Sequence, residues 1–166
     1  FNIAKILYNL ERYESACVAY EKSAECYADN EVVNKISAYM QMGYSADHSG
    51  SSLTAERAFS KAFDLRLGNL DAKGYSLYKI YSKLEMMKRR SGKYLEALSL
   101  SSEVLEVCKN SLSDTDRKHI YNKMGMNMHC LLRDKVELQA EQKVKCFQEG
   151  FAAYTEAILF CRVASK

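Results

Sequence analysis

The stretch from Gly43 to Leu53 (GYSADHSGSSL) gathers Ser45, Asp47, His48 and Ser49, the residue types of a nucleophilic triad. A triad holds a hydroxyl, an imidazole and a carboxylate in one hydrogen-bonded line, and proteins assemble it from separate elements, not from neighbours in a single loop. Gly43 and Gly50 do not form the clustered glycines ahead of a helix that cradle a phosphate. The histidines, at 48, 119 and 129, include no His-Glu-x-x-His and no Cys/His pair at zinc spacing. His129 and Cys130 are adjacent, and a helix turns adjacent side chains about 100° apart, which makes a poor metal site. No enzymatic activity, metal or cofactor is expected. The six cysteines (17, 26, 108, 130, 146 and 161) show neither CxxC spacing nor disulfide density, and there is no N-x-S/T sequon. They read as reduced, mostly buried thiols in a cytoplasmic or nuclear protein.

The elements that would position these residues are helices. The 166-residue chain is 48% hydrophobic and contains no proline, where average usage would supply roughly eight. A β-sandwich or barrel spends Gly and Pro on its turns, and proline is the residue that breaks helix interiors. The hydrophobic content is too high and the net charge of +3 too low for disorder. No apolar run approaches the roughly 18 residues of a membrane span. Phe1 in place of Met suggests a fragment of a longer protein. Charge is uneven: residues 61–93 carry 9 basic and 3 acidic side chains, ending in Lys88-Arg89-Arg90 and Lys93.

Period-3.6 patterning and end signals predict eight helices, at about 2–10, 12–28, 30–43, 54–67, 72–90, 93–110, 114–132 and 136–164. The Gly/Ser-rich segment 43–53 is expected to be a loop. Thr54 and Asp71 are expected to cap the fourth and fifth helices, and Gly68 and Gly92 to end helices. Ser113-x-x-Asp116 reads as a capping box.

A pattern recurs in the even-numbered helices: a small residue, an aromatic or small one four on, and a small one three further. It reads Ala16/Tyr20/Ser23, Ala55/Phe59/Ala62, Ala97/Ser101/Val104 and Gly150/Tyr154/Ala157. Such residues share one helical face and let a neighbouring helix approach closely. The odd helices answer with large, large-small, large: Val33/Ile36-Ser37/Met40 and Tyr121/Met124-Gly125/Met128. This resembles the tetratricopeptide repeat (TPR), with ERYESACVAYEKSA at 11–24 and GKYLEALSLSSEV at 92–104 as the nearest matches. The first small residues are 39, 42 and 53 positions apart, longer than the standard 34, and the repeat's Trp and frequent Pro are absent.

The resemblance implies an all-α solenoid of about four antiparallel helix pairs, a right-handed superhelix of repeats over approximately 1–28, 29–68, 69–112 and 113–166. It further implies a non-catalytic protein–protein interaction scaffold that binds a peptide or helix of a partner along the odd-numbered helices. Alignment on the large-small step turns Lys5, Tyr8, Asn34, Gln41, Lys79, Lys83, Met86, Arg89, Asn122, Met126 and His129 toward that concave side. Groove amides such as Asn34, Gln41 and Asn122 can bond an extended peptide's backbone. All seven methionines (40, 42, 86, 87, 124, 126 and 128) fall in odd helices, and thioethers suit adaptable surfaces, although Met40, Met124 and Met128 fit the core better. Lys79 and Lys83, one turn apart, favour an acidic peptide. Two other readings stay open: self-association through the solenoid ends, and RNA binding by the basic middle third with Tyr75, Tyr78 and Tyr81 as stacking rings.

Overall fold

The structure is a computed structural model and describes residues 1–71, 74–109, 112–134, 148, 150–152 and 155. Among these, seven helices form: α1 (Asn2–Asn9), α2 (Tyr13–Cys26), α3 (Val32–His48), α4 (Ser52–Leu67), α5 (Leu77–Arg90), α6 (Tyr94–Val107) and α7 (Asp114–Arg133), with no strand. Most of the predicted eighth helix, with Tyr154 and Ala157 of its repeat motif, lies outside the described residues. The chain packs as two compact units, Phe1–Met87 and Lys88–Lys166, so α5 contributes its first eleven residues to one and its last three to the other.

In the first unit α1 packs on α2, α2 on α3 and α3 on α4. The predicted small-aromatic-small faces are the contact surfaces: Ala16, Ala55, Phe59 and Ala62 are wholly buried and Tyr20 nearly so. Because α3 is covered on two sides, it buries Ala38, Met42, Ser45 and Ala46 as well as Ile36 and Met40, while Val33 is left exposed. In the second unit Tyr94 and Leu98 of α6 pack against Met128 and Leu131 of α7. Ala97, Ser101 and Val104 are fully buried.

The three turns that lead into α2, α4 and α6 share one geometry. Glu11, Gly50 and Gly92 take left-handed φ values of 58°, 80° and 72°. Each donates its N–H three residues back, to Tyr8, Asp47 and Arg89. The next residue, Arg12, Ser51 or Lys93, donates five back, to Leu7, Ala46 or Lys88, at 2.8–2.9 Å. This is the Schellman cap, which satisfies the last carbonyls of the preceding helix. Five residues beyond each left-handed residue stands the first small residue of the motif, Ala16, Ala55 or Ala97.

Several local expectations change. The segment 43–53 is not a loop: α3 runs on to His48, and only Ser49–Ser51 separate it from α4. The hydroxyls that suggested a loop are absorbed by the helix itself, Ser45 donating to the Gln41 carbonyl and Ser49 to that of Ala46. Gly43 serves packing, because a Cβ there would lie 2.5 Å from the Phe59 ring. Thr54 lies inside α4, whose N-cap is Ser51. Asp71 does not cap α5, since Gly74 at φ 120° interrupts the chain and the Lys79 N–H bonds the Ser76 hydroxyl instead. Ser113 caps α7 as expected, accepting from the Asp116 N–H at 3.1 Å, and Asp116 returns its carboxylate to the Ser113 hydroxyl. Gly68 ends α4 without left-handed geometry. Among the described residues the thiols are more open than expected: Cys108 is buried, Cys17 and Cys130 half-buried, and Cys26 exposed, while Cys146 and Cys161 lie outside these residues.

Without proline, the connections between helix pairs are held by side chains. Arg66 of α4 donates to the carbonyls of Asn69 (2.7 Å) and Tyr75 (3.1 Å), tying down the approach to α5. Arg117 of α7 donates to the carbonyls of Leu112 and Lys109 before it. Between α2 and α3, Glu31 accepts from the Ala28 N–H and Lys35 pairs with Asp29 at 2.6 Å.

A tyrosine-lined candidate site on the first unit

On the first unit α1, α2, the end of α3 and the connection before α5 carry a series of tyrosines. Tyr8 of α1 stacks edge-on against Tyr13, centroids 5.3 Å apart, and against His48 at the end of α3. His48 Nδ1 lies 2.7 Å from the Tyr44 carbonyl, so the imidazole donates there and closes the last turn of α3. One turn earlier, Gln41 Nε2 donates to the Tyr75 hydroxyl at 3.0 Å. Burial, then the neighbouring phenols, pushes the Tyr8, Tyr20 and Tyr44 hydroxyls above the ordinary range. They remain protonated at neutral pH and act as donors.

Two lysines of α5 are placed on these rings. The Lys83 ammonium stands 5.1 Å above Tyr44, and that of Lys79 5.4 Å above Tyr75. A cation over an aromatic face gains from the ring quadrupole and keeps its outer N–H donors for another acceptor. The surface made by Gln41, Tyr44, Tyr75, Lys79 and Lys83 is thus rich in donors and in positive charge. Its chemical complement is a carboxylate or a peptide carbonyl.

The expected site residues separate into three groups. Gln41, Lys79 and Lys83 belong to this surface, while Tyr8 stacks on Tyr13 and His48. Lys5 and Asn34 are exposed on α1 and α3, Asn34 donating to Glu31, and Met86 is half-buried on α5. Arg89, Asn122, Met126 and His129 belong to the second unit, where Met126 and His129 are exposed and Asn122 half-buried on α7. The methionines prove mostly internal: Met40, Met42, Met87 and Met128 are buried. Tyr81 is fully buried, so it is not open to stack on a base. Lys88, at the start of the basic run, pairs with Glu96 at 2.6 Å.

Tyr44 and Tyr75 escaped the sequence reading as partners of the lysines. Tyr44 fell in the supposed loop, and Tyr75, expected within the fifth helix as a stacking ring, lies instead in the connection before α5, where it meets Gln41 and Lys79. Among the described residues no three His, Cys, Asp or Glu side chains come together as a metal site, and no helix is long and apolar enough to cross a membrane.

No protein-family model and no curated protein matches the sequence. Solved structures do. Crystal structures of a Podosopora anserina putative kinesin light chain with nearly identical TPR-like repeats, and of a single-substitution variant of it, superpose with TM-scores of 0.54 and 0.55. Each is 11% identical, over 97% of this chain and 89% of theirs. That likeness shows the fold: this is an all-α, TPR-like α-solenoid with divergent repeats.

Proposed function

We propose that the chain is a non-catalytic scaffold that binds an acidic peptide segment of a partner protein through the odd-numbered helices. The helix pairs act as four repeats over approximately 1–28, 29–68, 69–112 and 113–166. The observation that carries this reading is the seating of Lys79 and Lys83 on Tyr75 and Tyr44, beside the Gln41 amide. The ammonium groups attract carboxylates, while the amide and phenols bond main-chain carbonyls. Asn34 on α3 supplies a further contact, and Asn122, Met126 and His129 of α7 are a separate candidate contact set on the second unit. The exposed free thiol of Cys26 fits a reducing compartment, the cytoplasm or the nucleus.

An array of peptides about a dozen residues long, graded in Asp and Glu content, tests the proposal when probed with labelled protein. Retention should rise with acidic content, weaken with salt, and fall by about tenfold in the Lys79→Ala/Lys83→Ala variant. Equal retention of acidic and neutral peptides, or no effect of the two substitutions, would overturn it.

A further inference from the structure

The lysine-bearing surface of the first unit has two steps. At the first, Gln41 donates to the Tyr75 hydroxyl and the Lys79 ammonium stands over the Tyr75 ring. At the second, the Lys83 ammonium stands over the Tyr44 ring. Gln41 precedes Tyr44 by about one turn of α3, and Lys79 precedes Lys83 by about one turn of α5, so both helices pass from the first step to the second in the same direction. Four residues of helix set the two lysines about 6 Å apart along α5. The ring beneath each ammonium holds it near its place. Neither lysine has an ion pair among the described residues. Gln41 keeps its second amide N–H, and Tyr75 its hydroxyl proton, for a further acceptor.

We infer that this surface selects its peptide by the spacing of the acids: an extended segment with carboxylates at positions i and i+2, lying along α5. The inference rests on the acidic-peptide reading above and adds a register to it. In an extended chain, side chains two apart point to the same side and lie roughly 6.6–6.8 Å from each other, which matches the step between the lysines. One carboxylate then meets Lys79 and the next meets Lys83. Adjacent side chains point to opposite sides, and those three apart do so over about 10 Å, so either arrangement engages one ammonium at a time. A helical ligand with acids four apart also reproduces the 6 Å step. The Gln41 amide and the Tyr75 hydroxyl argue against it, because helix carbonyls are already bonded within the helix, whereas an extended chain offers its own.

Four fluorescent peptides of about a dozen residues, acetylated and amidated, carry two Asp in a Gly/Ser/Thr background, at spacings of one, two, three or four, with charge and composition identical. A fifth, with a run of about six Asp, reports on the acidic-peptide reading itself. Each is titrated with the intact protein at low salt and followed by anisotropy. The i+2 peptide is expected to bind about fivefold or more tightly than the other three spacings, and that preference is expected to vanish in Lys79→Ala and in Lys83→Ala, where one ammonium remains. Circular dichroism checks the folding of each variant, and Lys79→Gln and Lys83→Gln repeat the comparison where it is lost. Equal affinity for the four spacings, or binding of the fifth peptide alone, overturns the inference and leaves the acidic-peptide reading standing. Tightest binding at i+4 overturns it in favour of a helical ligand. An i+2 preference that survives both single substitutions overturns it as well, since the selecting groups then lie elsewhere. Binding of none of the five overturns the inference and the reading together.

Discussion

Glu11 occupies a backbone conformation that costs an ordinary side chain energy, and its repeat counterparts are both glycine. Left-handed geometry costs a residue with a Cβ on the order of 1–2 kcal/mol, part of which glycine returns through its freer unfolded chain. Glu11→Gly should therefore stabilise the protein by about 0.5–1 kcal/mol, and Gly92→Ala should destabilise it by about 1 kcal/mol, in urea unfolding followed by circular dichroism. Two other glycines differ in what they face. A Cβ at Gly43 would press on the Phe59 ring, held between helices, whereas one at Gly150 would meet the Met128 thioether at 2.7 Å. Rings in a packed core yield little, so Gly43→Ala should cost about 1–3 kcal/mol; at Gly150 the thioether can move but the Met128 Cβ at 3.2 Å cannot, so Gly150→Ala should also destabilise. Asp134 gives the fold a pH signature. The Arg133 guanidinium at 2.7 Å, then the Tyr94 hydroxyl at 2.6 Å, holds its carboxyl below the ordinary range. A carboxylate lowered on folding contributes stability that is present above its unfolded pKa and lost as pH falls through the folded one. Asp134→Asn should thus lower the urea midpoint at pH 7, with the difference from wild type shrinking as pH falls through the lowered folded-state pKa.

At the scale of elements, burial predicts which helices open first. α3 is covered by both α2 and α4, whereas α1 rests on α2 and leaves Ile3, Ile6 and Leu10 in water. Hydrogen exchange read by mass spectrometry should find α1 the least protected helix of the first unit and the middle of α3 the most protected. Equal protection of the two would show that packing on the second side adds nothing to α3. The helices themselves were legible in the sequence wherever an apolar period ran without interruption, as in α2, α4, α6 and α7. The end of α3 was not. Its Ser, Asp, His and Gly residues carry turn propensity, and only the tertiary contact of Gly43 with Phe59 and the internal bonds of Ser45 and His48 override it. The start of α5 was misread for the converse reason, because a capping residue was inferred at Asp71 while Gly74 and Ser76 set the boundary.

For the whole molecule, the recurrence of small and aromatic residues exposed the repeat, since close helix approach leaves a mark on every even helix. The candidate site was half legible. Lys79, Lys83 and Gln41 were found from helix register, but Tyr44 was assigned to a loop and Tyr75 to a helix that in fact starts at Leu77, so neither ring was set beside its lysine. Missing prolines proved a guide to construction as well as to class, since Arg66 and Arg117 tie the connections that a rigid ring would otherwise stiffen. The shared turn also says where length is free to vary. From each left-handed residue to the buried small residue the count is five in all three cases, while whole repeats differ by three residues, 39 against 42. The extra residues therefore fall outside that five-residue span. A block cut from Glu11 to Ser49 begins and ends at the same turn, so a duplicate spliced in before Gly50 would join like to like. The chain is in this sense already punctuated for lengthening, with its splice points written in the backbone and not in the side chains.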